Sequence, residues 1–205
     1  GALLACDNTF ATPVLQQPLK LGADVVMHST TKYFGGHSDV MGGALVFAKA
    51  NELFDAVAHR RHITGNIASP FNSWLILRGA RSTPARMAWH CKNAQQLAEF
   101  FAQHPSIESV NYPGLATHPN HEIAKKQMRD FGAMVSFDLK NNSLEAAHRV
   151  LSNTHLFSLA ESLGGVESLI GHPASMTHAS IPKEERAKTG LTDSLIRLSV
   201  GIEDI

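Results

Sequence analysis

Asp7 and Lys32 lie twenty-five positions apart, and each closes a short apolar run: Ala2-Leu3-Leu4-Ala5-Cys6 before the acid, Val25-Val26-Met27-His28-Ser29-Thr30-Thr31 before the lysine. An acid at the end of one buried strand and an amine just past the next can face each other across one ligand. A pyridoxal phosphate site requires that pair. The amine holds the aldehyde as a Schiff base, and the carboxylate keeps the ring nitrogen protonated so that the ring can take up electrons. Ser29 and Thr31 are two apart, so in extended backbone their hydroxyls project to one side and Lys32 to the other. Paired hydroxyls suit a phosphate. Arg197 lies in the apolar strand Leu195-Ile196-Arg197-Leu198-Ser199-Val200. A guanidinium there requires an anion, either a carboxylate of a substrate or a fixed Asp or Glu of the core.

These groups must be positioned by regular elements. Ala2–Cys6, Val25–His28 and Ala44–Phe47 read as buried strands bounded by turn residues, with a short helix around Leu15–Leu19. That pattern predicts an α/β layer with a mostly parallel sheet. Asn51–Arg61 reads as a helix with Leu53, Phe54, Val57 and Ala58 on one face. A long helical stretch follows from Phe71 to Gln103, broken near Gly79 and at Pro84, where a new helix is expected to start. Beyond it, strands at Ile107–Tyr112, Met134–Leu139, Leu156–Ala160 and Leu195–Val200 alternate with helices at Glu122–Asp130, Leu144–Leu151 and Lys183–Lys188, a smaller α+β domain. The expected division is 1–85 and 86–205.

Composition narrows the classes. The 205 residues are 43% hydrophobic and 18% charged, with eighteen acids balancing eighteen bases, so neither nucleic acid nor an anionic membrane is an expected partner. Two cysteines, Cys6 and Cys91, make no disulfide framework, and a reducing cytoplasm is the expected compartment. No apolar run approaches a membrane span. The twelve histidines lack the spacing of common zinc sites, and no metal is expected. The chain begins inside a strand and stops just after one, and so reads as a piece of a longer protein.

Asp7-Asn8-Thr9-Phe10, His28-Ser29-Thr30-Thr31-Lys32-Tyr33, Gly36-His37-Ser38-Asp39 and Gly42-Gly43 resemble the Cys/Met-metabolism family of pyridoxal-phosphate enzymes. The resemblance continues in order through Leu77-Arg78-Gly79, Tyr112-Pro113-Gly114-Leu115, the run from Leu159 to Leu169, Met176-Thr177-His178-Ala179 and the run from Arg197 to Asp204. It implies the aspartate-aminotransferase-like fold type I, here the C-terminal part of a large cofactor-binding domain and a smaller C-terminal domain. It further implies Lys32 as the Schiff-base lysine, Asp7 on the ring nitrogen, and Ser29 and Thr31 on the phosphate. Ser162 would lie by substrate and lysine, Thr177 would support the carboxylate site, and Arg197 would grip the α-carboxylate. Glu161 resembles the acid of cystathionine-handling members. The implied activity is γ-replacement or γ-elimination on sulfur amino acids, of the cystathionine γ-synthase or γ-lyase type. Methionine γ-lyase and homoserine sulfhydrylase are alternatives, as is an inactive fragment or interaction module of the same fold. Homo-oligomers, dimers of dimers with sites shared between subunits, are implied as well.

Overall fold

The computed structural model describes residues 1–205, which divide into two compact units, Gly1–Pro84 and Ala85–Ile205. In the first unit, β1 (Ala5–Asp7) pairs in parallel with β2 (Val25–Ser29), and β2 pairs antiparallel with β3 (Gly43–Phe47). The sheet order is β1-β2-β3, so one of its two pairings is parallel and the other is not. The connection from β1 to β2 runs through α1 (Thr12–Leu15) and a 3-10 turn, Pro18–Leu21, each opened by a proline in its first turn. Leu15, Val25, Val26, Tyr33 and Val40 form the buried core of this unit.

Helix α2 (Glu52–Thr64) is capped by the Asn51 side chain, which accepts from Phe54 N at 3.2 Å, and ends at Gly65 in the left-handed region, φ 69°. None of its residues is fully buried. Phe54, Val57 and Ala58 instead line an open groove of about 570 Å³ against Met27, Leu45 and Phe47.

Helix α3 (Pro70–Gln103) is continuous, contrary to the break expected at Gly79 and the restart expected at Pro84. Pro84 lies inside it, and the hydroxyls of Ser82 and Thr83 donate to the Gly79 carbonyl at 3.0 and 3.3 Å. Gly79 has a packing reason rather than a helix-breaking one. A Cβ there would fall on the carbonyl oxygens of Phe34 and Gly35, so the turn carrying Lys32 rests directly on the helix backbone.

The second unit is a five-stranded sheet in the order β4-β5-β8-β7-β6. Its strands are β4 (Ile107–Asn111), β5 (Met134–Leu139), β6 (Ser158–Leu159), β7 (Leu169–Gly171) and β8 (Leu195–Ser199). Only the β6–β7 pair is parallel. Strict alternation along β5 buries Val135, Phe137 and Leu139, which join Ile196 and Leu198 of β8 in the core. Helices α4 (His121–Gln127), α5 (Leu144–Leu151) and α6 (Lys183–Lys188) complete the unit. On α5, Ala147 and Leu151 are buried as the helical spacing requires, while Leu144 stays exposed. Strand β7 escapes sequence reading because it has three residues and ends on a glycine. The later part of α3 is tied to the end of β8: His90 Nδ1 lies 2.7 Å from Val200 O, and Asn93 Nδ2 donates to the carbonyls of Gly201 and Glu203. No helix is long and apolar enough to cross a membrane.

Replacing Gly79 with Ala should force the Thr30–Phe34 turn off α3. The expected loss is about 1–3 kcal/mol of unfolding free energy, measured by urea titration of the purified protein.

Candidate functional site

In the first unit the predicted residues gather at one edge of the parallel pair. Asp7 is the last residue of β1 and Ser29 the last of β2, with Asp7 in register with Met27. Carboxyl ends of parallel strands are where α/β sheets present ligand-binding groups. Thr9 locks the two ends together. Its amide and its hydroxyl both donate to Asp7 Oδ1, at 3.0 and 2.6 Å, and the same hydroxyl accepts from Ser29 N at 2.8 Å. Asp7 Oδ2 takes no hydrogen bond within the protein and Asp7 is exposed, so one oxygen is fixed in place and the other is presented. Thr9 carried no role in the sequence reading. Its signal was local, because a threonine two residues after an aspartate is suited to bonding back to that carboxylate.

The Lys32 segment departs from the extended geometry on which the Ser29/Thr31 spacing argument relied. Strand β2 ends at Ser29, and Thr30–Phe34 coil into one wide turn closed by Gly35 N donating to Thr30 O at 2.9 Å. Within that turn Lys32 has φ −90° and ψ −127°, away from helical values. Hydrogen bonds to the next strand make the chain coil: Thr30 N donates to Gly42 O at 2.9 Å, and Thr31 Oγ1 accepts from Gly42 N at 3.1 Å. Thr31 Oγ1 also points its proton at Gly42 O, at 3.3 Å. To donate to a phosphate it would exchange that long bond. The Ser29 hydroxyl is half-buried and bonds to nothing in the protein. Behind the edge, burial pushes the His28 imidazole below its ordinary pKa, with the Asp7 charge working the other way.

The donor set in this unit is a presented carboxylate oxygen, an uncommitted hydroxyl, a second hydroxyl on a glycine-lined turn and a half-buried lysine. A protonated aromatic nitrogen, a phosphate and an aldehyde require those groups, so the residues present fit pyridoxal phosphate.

In the second unit, Arg197 sits on β8 between β5 and β7, in register with Ser136 and Gly171. Its Nη2 donates to the carbonyls of Glu161 and Ser162 at 2.7 and 3.4 Å. It forms no ion pair with any acid of the chain, which removes the fixed core partner that the sequence left open. Burial pulls its pKa down and the Glu161 carboxylate pulls it up. With Glu161, His172, Met176 and Thr177 it lines a narrow, tightly closed pocket. Glu161 and Thr177 are exposed and Ser162 is half-buried, and Thr177 Oγ1 bonds to His178 Nδ1 at 2.8 Å. The nearby Gly164, at φ 81°, turns its amide onto Ser199 Oγ at 2.9 Å, which joins the Glu161–Gly165 segment to the end of β8. Arg197, Glu161, Ser162 and Thr177 are therefore brought together in this unit, as Asp7, Ser29, Thr31 and Lys32 are in the other.

If Thr9 holds Asp7, Thr9→Val should weaken pyridoxal phosphate binding by roughly tenfold or more, the worth of a hydrogen bond to a charged group. Thr9→Ser should retain most of it. Fluorescence titration of the apoprotein measures both.

Known proteins share this fold. The family model for Cys/Met metabolism PLP-dependent enzyme matches residues 1–205. A cystathionine β-lyase of Coxiella burnetii is 54% identical over 203 residues, covering 99% of this chain and 52% of that protein. An L-methionine γ-lyase of Fusobacterium nucleatum subsp. polymorphum is 54% identical over 207 residues, covering 100% of this chain and 52% of its own length. A crystal structure of cystathionine γ-synthase from Xanthomonas oryzae pv. oryzae, in complex with aminoacrylate and cysteine, superposes with TM-score 0.94 at 52% identity, covering 100% of this chain and 52% of that one. The chain thus spans about half the length of the relatives it matches. With the family model matched from end to end and the fold shared at that identity, the chain belongs to the Cys/Met metabolism PLP-dependent enzyme family.

Proposed function

We propose that this chain carries the lysine-bearing half of an enzyme that eliminates or replaces the γ-substituent of a sulfur amino acid using pyridoxal phosphate. The observation that carries the reading is the carboxylate at the end of β1, one oxygen pinned by Thr9 and the other presented at the edge from which the Lys32 turn departs. Unit 1 is proposed as the C-terminal part of the large cofactor-binding domain and unit 2 as the smaller C-terminal domain.

When bound, the cofactor supplies an electron-withdrawing ring that stabilises negative charge on the substrate's α-carbon. The chain's own residues do the rest. Asp7 would keep the ring nitrogen protonated, Ser29 and Thr31 would donate to the phosphate, and Lys32 would hold the aldehyde carbon in the resting enzyme. With a substrate bound, the Lys32 amine would act as general base at Cα and would move a second proton at Cβ so that the γ-substituent can depart. Arg197 would pair with the substrate α-carboxylate through the guanidinium nitrogens that Glu161 O and Ser162 O leave open, with Thr177 supporting that site. Ser162 would lie by the substrate, and the exposed Glu161 carboxylate would meet the distal ammonium of cystathionine.

Support for the substrate class comes from Arg197, a half-buried cation without an acid of its own, and from relatives named for cystathionine and methionine lyases and cystathionine synthase. Because relatives include a cystathionine β-lyase, loss of a β-substituent is a competing outcome for the same residues. Subunits paired into dimers of dimers and a cytoplasmic location complete the proposal. The two free cysteines, Cys6 and Cys91, suit a reducing compartment, and burial pushes the Cys91 thiol up to about 12. An interaction module without turnover is the second reading. It is favoured by the exposed Leu45 and Val46 of β3.

Borohydride reduction decides between the two. The holoprotein should be yellow and fix the cofactor at Lys32, whereas a preparation that stays colourless with added cofactor supports the second reading. In the complete enzyme, Lys32→Ala should abolish turnover. Arg197→Ala should raise KM for cystathionine roughly 30-fold or more, the cost of leaving a charge unpaired. Product analysis with O-succinylhomoserine plus cysteine, then with cystathionine alone, separates synthase from lyase.

A further inference from the structure

Behind the Arg197 cavity lies a buried imidazole with no part in the chemistry above. His172 is 0% exposed, and it follows β7 directly. The turn after it folds back onto its own backbone: Ser175 N and Met176 N donate to His172 O at 3.2 and 3.0 Å, and His172 N reaches Met176 Sδ at 3.2 Å. The ring is held at both nitrogens. Nε2 lies 2.9 Å from the carbonyl of Asp193, and Nδ1 lies 2.8 Å from Ser175 Oγ. A carbonyl only accepts, so Nε2 carries the proton and Nδ1 receives one from the Ser175 hydroxyl. Asp193 stands four residues before Arg197, at the entrance to β8, and its carboxylate is clamped by Lys183 and by Arg186 at 3.4 Å. One ring therefore joins the turn that leads to Thr177 to the start of the strand that carries Arg197.

We propose that His172 is a positioning residue that sets the separation between the Thr177 turn and Arg197, and so the fit of the substrate α-carboxylate. The proposal rests on the reading of Arg197 as the carboxylate site. It is the neutral ring that makes this connection. His148 of α5 meets it edge-on with centroids 5.6 Å apart, Arg186 of α6 faces it, and Arg197 and Glu161 share its cavity. Burial, His148 and Arg186 oppose its protonation, and the Asp193 carbonyl bond and carboxylate favour it, with burial the largest cause and the net direction downward from 6.5. A histidine with a lowered folded pKa is neutral above its ordinary value and gains its proton only as pH falls below it. Protonation turns Nδ1 into a donor, so the Ser175 hydroxyl must reverse, and it puts a charge where burial, His148 and Arg186 disfavour it, which loosens the turn.

Two substitutions isolate the connection. His172→Gln keeps a donor that reaches Asp193 O, whereas His172→Asn keeps an acceptor for Ser175 and falls short of Asp193. In the complete holoenzyme, H172N should raise KM for cystathionine roughly tenfold with kcat within about twofold, and H172Q should stay near the parent. About 1.4 kcal/mol, one hydrogen bond, corresponds to that tenfold change. Binding of glycine measured by calorimetry should weaken in the same order. Below pH 6.5 the parent's KM should rise while that of H172Q stays flatter. Unchanged KM in H172N, or a fall in kcat alone, overturns the proposal. If H172N does not fold, the pH comparison of H172Q with the parent decides, and superimposable curves overturn it. Arg197→Ala serves as the control: unchanged KM there defeats the carboxylate reading itself, whereas a raised KM beside a normal H172N defeats only the role of His172.

Discussion

A hydrogen bond from one hydroxyl, Thr9 Oγ1 to Asp7 Oδ1 at 2.6 Å, governs how the two parallel strand ends of unit 1 present their polar groups. A carboxylate at a strand end is free to rotate, and an exposed one ordinarily does. Thr9 removes that freedom with two donors on a single oxygen, and the same hydroxyl receives Ser29 N at 2.8 Å. Charge-assisted bonds of this kind are short and directional. The second carboxylate oxygen thereby gains a defined direction. Ser29, whose amide is committed to Thr9, keeps its hydroxyl for something else.

Close backbone packing places the lysine. The turn Thr30–Phe34 could not rest on α3 if residue 79 had a side chain, because the carbonyls of Phe34 and Gly35 occupy the space of its Cβ. Gly42 plays a matching part on the other side, where a Cβ would crowd Thr30 Oγ1 while its amide bonds to Thr31. Helix, turn and strand are thus held together by backbone contacts that glycines alone permit. Tyr33 of the turn is buried, while Lys32 is left only half-buried.

Arg197 illustrates a different solution for a charge in a sheet. Carbonyl oxygens of Glu161 and Ser162 orient the guanidinium without neutralising it. A carboxylate partner from the core would have satisfied the charge and closed the site. Carbonyl dipoles steady the fork and leave its formal charge without an ion pair to any acid of the chain. Nearby, His172 Nε2 bonds to the Asp193 carbonyl, and the Asp193 carboxylate pairs with Lys183 and Arg186 of α6.

Much of this was present in the one-dimensional pattern. Met134–Leu139 and Leu144–Leu151 form at the positions their periodicity dictates, because each buries a face set by local spacing, and the polar helix Lys183–Lys188 forms where its end signal at Gly190 places it. The residue types at Asp7 and Lys32 suggested a pyridoxal phosphate site, and the motifs around them carried the resemblance to the family. The Ser29/Thr31 spacing could not show that the backbone coils after Ser29, since that depends on Gly42, just before β3, bonding Thr30 and Thr31. Nor could spacing show that Pro84 lies inside a helix. Residue identity and order determined which groups are available: an amine, a carboxylate, hydroxyls and an unpaired guanidinium. Tertiary structure alone decided which atoms of those groups are already committed and which remain open, because hydrogen bonds such as Thr9 to Ser29 and His172 to Asp193 join residues that lie about twenty positions apart in the chain.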